Sequence, residues 1–398
     1  MNIKFISFQS INNNIPTGMV KFMLPILNKM NLLSNSVYFI SSCKNYNGPI
    51  NIKEIGVAFK IVSKLSQIFR KVFSDVSSGK IRLFQEMFFD YFTSFKIKEA
   101  SILVSTAYLK TTTSKNTRLG GINIFIAGNP DDREIYKIMQ EEQNKYNIKI
   151  HDAYTYRKRI DFISNSLNSY DHIITSTSSE LETYSKYITN NRYSFIEAFI
   201  VPNHNTFKSK KVQKNEKLTF CYIAHTVWLK GLIYLVESFN KLHSNEVQLF
   251  IGGSINKQIQ NTIDKMDLNQ NIKFVGHVPD LNKYMRSSHV CVVPSLLDAG
   301  PATVAEALYC GLPVITTDGC GSKTLIKDGE NGFVVPIANS DALAEKIQWF
   351  IDNQDKIEQM GKNAKETMLN VEHSDQNEVL ANHIKEVMDK LKKEKGIV

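Results

Sequence analysis

With 398 residues, 42 % of them hydrophobic, the chain is long enough for two domains, each with its own core. Its apolar stretches fall short of the roughly 18 residues of a spanning helix, and its start, MNIKFISFQS, has no secretory h-region, so a cytoplasmic protein is expected. The formal net charge of +9 admits nucleic acid, an anionic membrane surface or phosphorylated substrates; the lack of a helix-turn-helix, RNA-binding aromatic motif or zinc finger argues against the first.

A strand at Lys4 to Phe8, a polar loop with Pro16 and Gly18, a helix at Met19 to Met30 and a strand at Val37 to Ser41 make the opening of a doubly wound α/β domain. Next, FKIVSKLSQIFRKVF (Phe59 to Phe73) sets Ile61, Leu65, Ile68 and Val72 at helical spacing, with Lys60, Lys64, Arg70 and Lys71 between them. An aromatic run follows at Phe88, Phe89, Tyr91, Phe92 and Phe95. Two readings stay open for it: a basic helix lying on an anionic leaflet, or a core-facing helix with solvated lysines. Further strands are expected at Ile102 to Ser105, Ile122 to Ala127, His172 to Thr175 and Phe195 to Val201, with helices between them at Asp131 to Tyr146 and Ser179 to Tyr187.

The charged stretch KSKKVQKNEK (Lys208 to Lys217) has no apolar period and reads as a linker. It separates a first domain, 1–207, from a second, 218–374, and residues 375–398 follow as a terminal amphipathic helix (Gln376 to Lys393). In the second domain the pattern restarts: strand Thr219 to Ala224, helix Gly231 to Leu242, strand Gln248 to Gly252, helix Lys257 to Met266, strand Ile272 to Val275, helix Asp280 to Ser287. After residue 318 come a strand at Asn331 to Pro336 and helices at Asp341 to Asn353 and Gln354 to Leu369. Five cysteines (Cys43, Cys221, Cys291, Cys310, Cys320) lack CxxC spacing, several in apolar contexts, which favours buried thiols over metal ligands or disulfides.

Between them, CVVPSLLDAGPATVAEALYCGLPVITTD (Cys291 to Asp318) reads as a buried strand, a Gly-Pro loop, a short helix and a second buried strand. Free N–H groups at Gly300, Ala302 and Thr303, with Pro301 between them lacking one, and the positive end of the helix dipole there suit a phosphate. Glu306, about one turn in, suits ribose hydroxyls, so the segment fits a nucleoside diphosphate. The plainer alternative is an ordinary βαβ crossover with incidental acids.

The same segment resembles the retaining glycosyltransferases of family four, the group 1 glycosyl transferases, which carry Glu-x7-Glu followed by Ala-x-x-x-Gly-x-Pro-Val-Ile. Here Asp298-x7-Glu306 fills the acidic pair, and Ala307, Gly311, Pro313, Val314 and Ile315 fill the run. YIAHTVWLKG (Tyr222 to Gly231) resembles the family's Gly-Arg-Leu-x-x-x-Lys-Gly, with Lys230 and Gly231 matching and His225 at the Arg position. IGGS (Ile251 to Ser254), the run from Asn271 to Ser295 and KDGENGFVVP (Lys327 to Pro336) complete five motifs in family order. The first domain is similar more loosely, through YDHIITSTSSELETY (Tyr170 to Tyr184) and FIVPNHNTF (Phe199 to Phe207).

This resemblance implies a GT-B fold: two Rossmann-like doubly wound α/β domains facing a central cleft, with the terminal helix crossing back to the first domain or packing locally. It implies retaining, metal-independent transfer of a hexosyl group from a nucleotide-diphosphate sugar, with no cofactor, to a glycan hydroxyl. The glycan would be a bacterial O-antigen, capsule or exopolysaccharide, carried on a lipid if the chain touches the inner leaflet. By analogy Lys230 and His225 carry the countercharge of the diphosphate, Glu306 binds ribose and Asp298 lies beside the sugar. Gly18, Gly231 and Gly252 approach the donor, and the backbone of His277 and Val278 meets the base. Asn129, Asp131 and Asp132 are candidates for the acceptor side, the two aspartates reading equally as helix caps. Two rivals are a non-catalytic nucleotide-sugar-binding subunit of another transferase and a GT-B sugar-nucleotide epimerase.

Overall fold

A computed structural model describes residues 1–12, 15–16, 18–30, 36–44, 51–54, 78–198, 217–242, 244, 246–278, 280–372 and 375–397. The chain divides into two units: Met1–Ser176, Glu180–Ala198 and Asn377–Val398 form the first, Thr177–Ser179 and Phe199–Gln376 the second. The basic segment 59–73 and most of the stretch read as a linker lie outside the described residues.

The strands of the first unit are β1 (Asn2–Asn12), β2 (Ile15–Pro16), β3 (Ser36–Lys44), β4 (Asn51–Glu54), β5 (Ser101–Ser105), β6 (Ile122–Ile126), β7 (His172–Thr175) and β8 (Tyr193–Phe195). They run β4-β3-β1-β5-β6-β7-β8, every neighbouring pair parallel, with β2 antiparallel on β1. The chain leaves β1 towards β3 on one side and returns to β5 on the other, so the strand order reverses beside β1, where doubly wound sheets bind ligands. Residues of β5, β6 and β7 are buried without alternation, as in parallel strands covered on both faces.

One face packs Phe5, Val104, Ile122 and Ile124 against the helix Gly18–Lys29 and the terminal helix Gln376–Glu394, whose Leu380, Ala381, Ile384, Val387, Met388 and Leu391 are buried. The end of the chain is therefore part of the first unit's core. Each of its larger aliphatic side chains contributes on the order of 1.5–3 kcal/mol of burial. A polar tie accompanies it: His172 and His383 both bond the Ser194 hydroxyl through Nε2, at 3.0 and 2.7 Å. The opposite face packs Ile6, Leu103, Phe125 and Ile173 against Phe89, Ile163, Leu167 and Tyr184.

In the second unit β9 (Leu218–Ile223), β10 (Val247–Gly252), β11 (Ile272–Gly276), β12 (Val290–Val293), β13 (Val314–Thr317) and β14 (Gly332–Val335) run β11-β10-β9-β12-β13-β14, all parallel. The order reverses between β9 and β12. The helix Ala302–Tyr309 joins β12 to β13 and buries Val304, Ala305, Ala307 and Leu308 against the sheet. Cys221, Cys291, Cys310 and Cys320 are buried free thiols.

Two expectations change. The strand expected from Phe195 to Val201 is Tyr193–Phe195, because its ladder to β7 runs from Ile173↔Tyr193 to Thr175↔Phe195; residues 199–201 are not described. The aromatic run at 88–95 falls largely on a helix, Ser78–Ser94, that apolar periodicity misses because large apolar side chains lie on both its buried and exposed faces. Among the described residues no helix is long and apolar enough to cross a membrane.

Candidate functional site

β9 ends at Ile223, and the next eight residues build one wall of the site. His225 follows the strand, and its Nδ1 meets the Ser254 hydroxyl at 2.5 Å, just past Gly252 at the end of β10. The backbone ties the same strand ends together, Thr226 N–H donating to Ser254 O at 2.8 Å. A Cβ on Gly252 would lie 2.6 Å from Val278 Cγ2, so Val278 packs directly over that glycine, with His277 exposed beside it.

Trp228 and Leu229, both buried, anchor a 3-10 turn, Trp228–Lys230, that ends in Gly231. Gly231 has φ +66° and begins the helix Leu232–Asn240. A Cβ there would sit 1.8 Å from the carbonyl oxygen of Pro294, so glycine is demanded by both conformation and space. That approach brings the Lys230 turn onto the loop after β12, where Leu296 N–H donates to Leu229 O at 2.8 Å.

The consequence is a contact between the two charged groups: Lys230 Nζ is hydrogen-bonded and ion-paired to Asp298 Oδ2. The pair is half-buried, with 29 % of the lysine side chain and 16 % of the aspartate exposed. Asp298 is held from behind by its own N–H to Gly319 O at 3.1 Å and by Gly321 N–H to its carbonyl at 2.9 Å. Gly300 and Pro301 follow, and Pro301 is the N-cap of Ala302–Tyr309 without a side-chain acceptor for the helix's first N–H groups. Thr303 lies near the end of β9, its hydroxyl 3.4 Å from Ile223 O. Glu306, one turn further on, is half-buried.

The structure thus assembles His225, Lys230, Gly231, Gly252, Asp298, Gly300 to Thr303 and Glu306 at the carboxyl ends of β9, β10 and β12, with His277 and Val278 after β11. Chemically this is a cation on a carboxylate beside an uncapped helix start: a place for an anion next to a group that supports positive charge. Sequence reasoning missed that Lys230 and Asp298 hold each other, and that Ser254 orients His225.

The remaining candidates belong to the first unit. Gly18 is the first residue of its helix. Asp131 is fully buried and serves its own helix, accepting from Arg133 N–H at 2.9 Å and from the Arg133 guanidinium at 2.8 and 2.6 Å. Asn129 and Asp132 line a cavity with Tyr108, Arg159 and Glu86, residues to which no sequence motif pointed. Burial pushes the Asp132 carboxyl up, against the pull of Arg159.

Gly231 and Gly276 allow a matched test, since both have φ near +70° but only Gly231 is crowded. Gly276→Ala should cost about 1–2 kcal/mol for the left-handed backbone alone. Gly231→Ala should cost clearly more, about 3 kcal/mol or above. Urea unfolding compares them, and equal losses would show that the Pro294 approach is not the reason for Gly231.

Residues 203–367 match the family described as Glycosyl transferases group 1. The capsular polysaccharide biosynthesis glycosyltransferase CapM of Staphylococcus aureus is 28 % identical over 181 residues, 44 % of this chain and 47 % of CapM. The chain spans about half the length of the curated relatives it matches. Among solved structures, WaaG, a glycosyltransferase involved in lipopolysaccharide biosynthesis, is similar with a TM-score of 0.66 at 15 % identity over 96 % of this chain and 99 % of WaaG. Anabaena HepE, solved with UDP and glucose, gives 0.61 at 13 % identity over 98 % of this chain and all of HepE (100 %). The parallel-sheet α/β units are those of the GT-B fold, and the segment 203–367 of the second unit is similar to the group 1 glycosyl transferases.

Proposed function

We propose that this chain moves a hexosyl group from a nucleoside-diphosphate sugar to a glycan hydroxyl, with retention and without a metal. The observation that carries the reading is the Lys230–Asp298 pair beside the uncapped start of Ala302–Tyr309. The donor's diphosphate takes Lys230, His225 and the N–H groups of Ala302 and Thr303 as its countercharge. Glu306 accepts from the ribose hydroxyls. As the anomeric C–O bond breaks, its electron pair stays on the diphosphate and Asp298 faces the oxocarbenium-like carbon. The acceptor oxygen then attacks from the face the diphosphate leaves, and its proton passes to that phosphate. Lysine and helix dipole supply the charge stabilisation a divalent ion would otherwise give.

HepE, solved with UDP and glucose, supports UDP-sugars as first donors to try, and the names of CapM and WaaG support a bacterial surface glycan as the product. Lys230→Ala and Glu306→Ala should each lower transfer by about 100- to 1,000-fold, with EDTA leaving the wild-type rate unchanged. NMR of the product should show the donor's anomeric configuration. Wild-type rates in both variants, or an inverted product, would contradict the assignment. Nucleotide binding without turnover on any donor or acceptor would favour a non-catalytic subunit.

We further propose that the protein works at the cytoplasmic surface of an anionic membrane. On Ser78–Ser94 and the residue after it, Phe84, Met87, Tyr91 and Phe95 are 45, 50, 52 and 54 % exposed, at spacings that put them on one face. Lys80, Lys96 and Lys98, all exposed, flank this stripe, a composition suited to anionic headgroups and the acyl boundary. Flotation with phosphatidylglycerol vesicles should recover wild type but not Phe84→Ser/Tyr91→Ser. Equal recovery of both proteins, or no recovery of wild type, would remove the membrane from the proposal.

A further inference from the structure

The imidazole of His225 is fixed at one ring nitrogen. Its Nδ1 lies 2.5 Å from the hydroxyl of Ser254, which comes from the loop after β10. The loops that carry the pair are tied through their backbones: Thr226 N–H donates to Ser254 O at 2.8 Å, and Asn256 N–H to Thr226 O at 3.1 Å. Both side chains are exposed. Among the described residues Nε2 has no partner in the protein, so it is the ring nitrogen open to a ligand.

A hydroxyl both donates and accepts, so Ser254 can hold this ring in either charge state. Towards a neutral ring it donates to a bare Nδ1. Towards a charged ring, whose two nitrogens both carry hydrogen, it turns and accepts from Nδ1–H. Nε2–H is then left to make a charge-assisted bond to an anion. A guanidinium is charged whatever lies beside it, whereas the charge of an imidazole is set by its surroundings near neutral pH.

Those surroundings are balanced until a ligand arrives. The other charged and titratable groups on the strand ends that form the site are Lys230 after β9, Lys257 after β10, His277 after β11, and Asp298 and Glu306 after β12. Lys230 is already ion-paired with Asp298. Two lysines against two carboxylates leave no net positive charge to meet a doubly negative diphosphate. Between about pH 6 and 8.5 only the two histidines in this set ordinarily gain or lose a proton. His225 is the one whose partner can follow the change.

We propose that His225 takes up a proton from solvent as the donor's diphosphate binds, and that Ser254 is the positioning residue that keeps the ring in place through the change. Donor affinity is then linked to pH. The anion favours the charged ring, so affinity is full on the acid side of neutrality and falls as pH rises through the titration of the bound imidazole. The proposal rests on the donor reading above, which puts the diphosphate beside His225.

Calorimetric titration of nucleotide sugars into the full-length protein tests it, with UDP-glucose, GDP-mannose, ADP-glucose and dTDP-glucose tried in turn. Both phosphates of these ligands are esterified, so their own charge stays constant over the range used. Comparing HEPES with Tris at pH 7.5, whose ionisation heats differ, should show that binding takes up roughly half a proton. Affinity should rise about 3- to 10-fold from pH 8.0 to pH 6.5. His225→Arg, permanently charged, should bind without this uptake and with a flat profile. Ser254→Ala should weaken binding about 3- to 10-fold at pH 6.5 and flatten the profile, and Ser254→Thr, which keeps the hydroxyl, should restore both. Binding without proton uptake, uptake unchanged in His225→Arg, or a Ser254→Ala profile equal to wild type would each overturn the proposal and leave the donor reading standing. If none of the four sugars binds, the donor reading falls and this proposal with it.

Discussion

Lys230 and Asp298 stand 68 residues apart, and the backbone brings them into contact. The Leu296 N–H to Leu229 O bond joins the turn that carries the lysine to the loop that carries the aspartate. Gly231 allows the turn to close against Pro294, where any side chain would collide. A half-exposed ion pair of this kind adds only about 0–1 kcal/mol to stability. In the function proposed above its effect lies in preorganisation: the ammonium is held in place by the carboxylate, which balances its charge until a diphosphate shares it. In the proposed reaction the carboxylate faces the place where positive charge develops on the sugar.

Both sheets put their chemistry at the same kind of place. In the second unit the strand order reverses between β9 and β12, and the pair spans the loops that leave those two strands. In the first it reverses beside β1, and the Arg159 cluster borders the loops after β5 and β6. Both pair their cations with carboxylates, and what the second unit adds is the bare start of Ala302–Tyr309, which suits an anion.

The second unit was the more legible in sequence. Its strands are short runs bounded by glycine or polar loops, and Ala302–Tyr309 follows its Gly-Pro turn at the expected position. In the first unit, Ser78–Ser94 escaped notice because large apolar side chains lie on both its faces, and Arg157–Leu167, whose Ile160, Ile163 and Leu167 share its buried face, because it is short and otherwise polar. The same two helices supply Glu86 and Arg159, so the ion pair between them went unseen as well. Asp132 was legible only as an acid at a helix start, because its partner Arg159 lies 27 residues away with no motif around it. The mutual hold of Lys230 and Asp298 was hidden for a similar reason: each residue was legible in its own motif, and only the fold pairs them.

Calorimetric titration of UDP into wild type, Lys230→Ala and Asp298→Asn tests the central claim most directly. Removing the lysine should weaken UDP by about 10- to 100-fold, the worth of a charged hydrogen bond. Removing the aspartate's charge should free the lysine and tighten UDP. A shift of both variants in the same direction, or no shift in either, would contradict the view that this pair holds the diphosphate's countercharge in reserve.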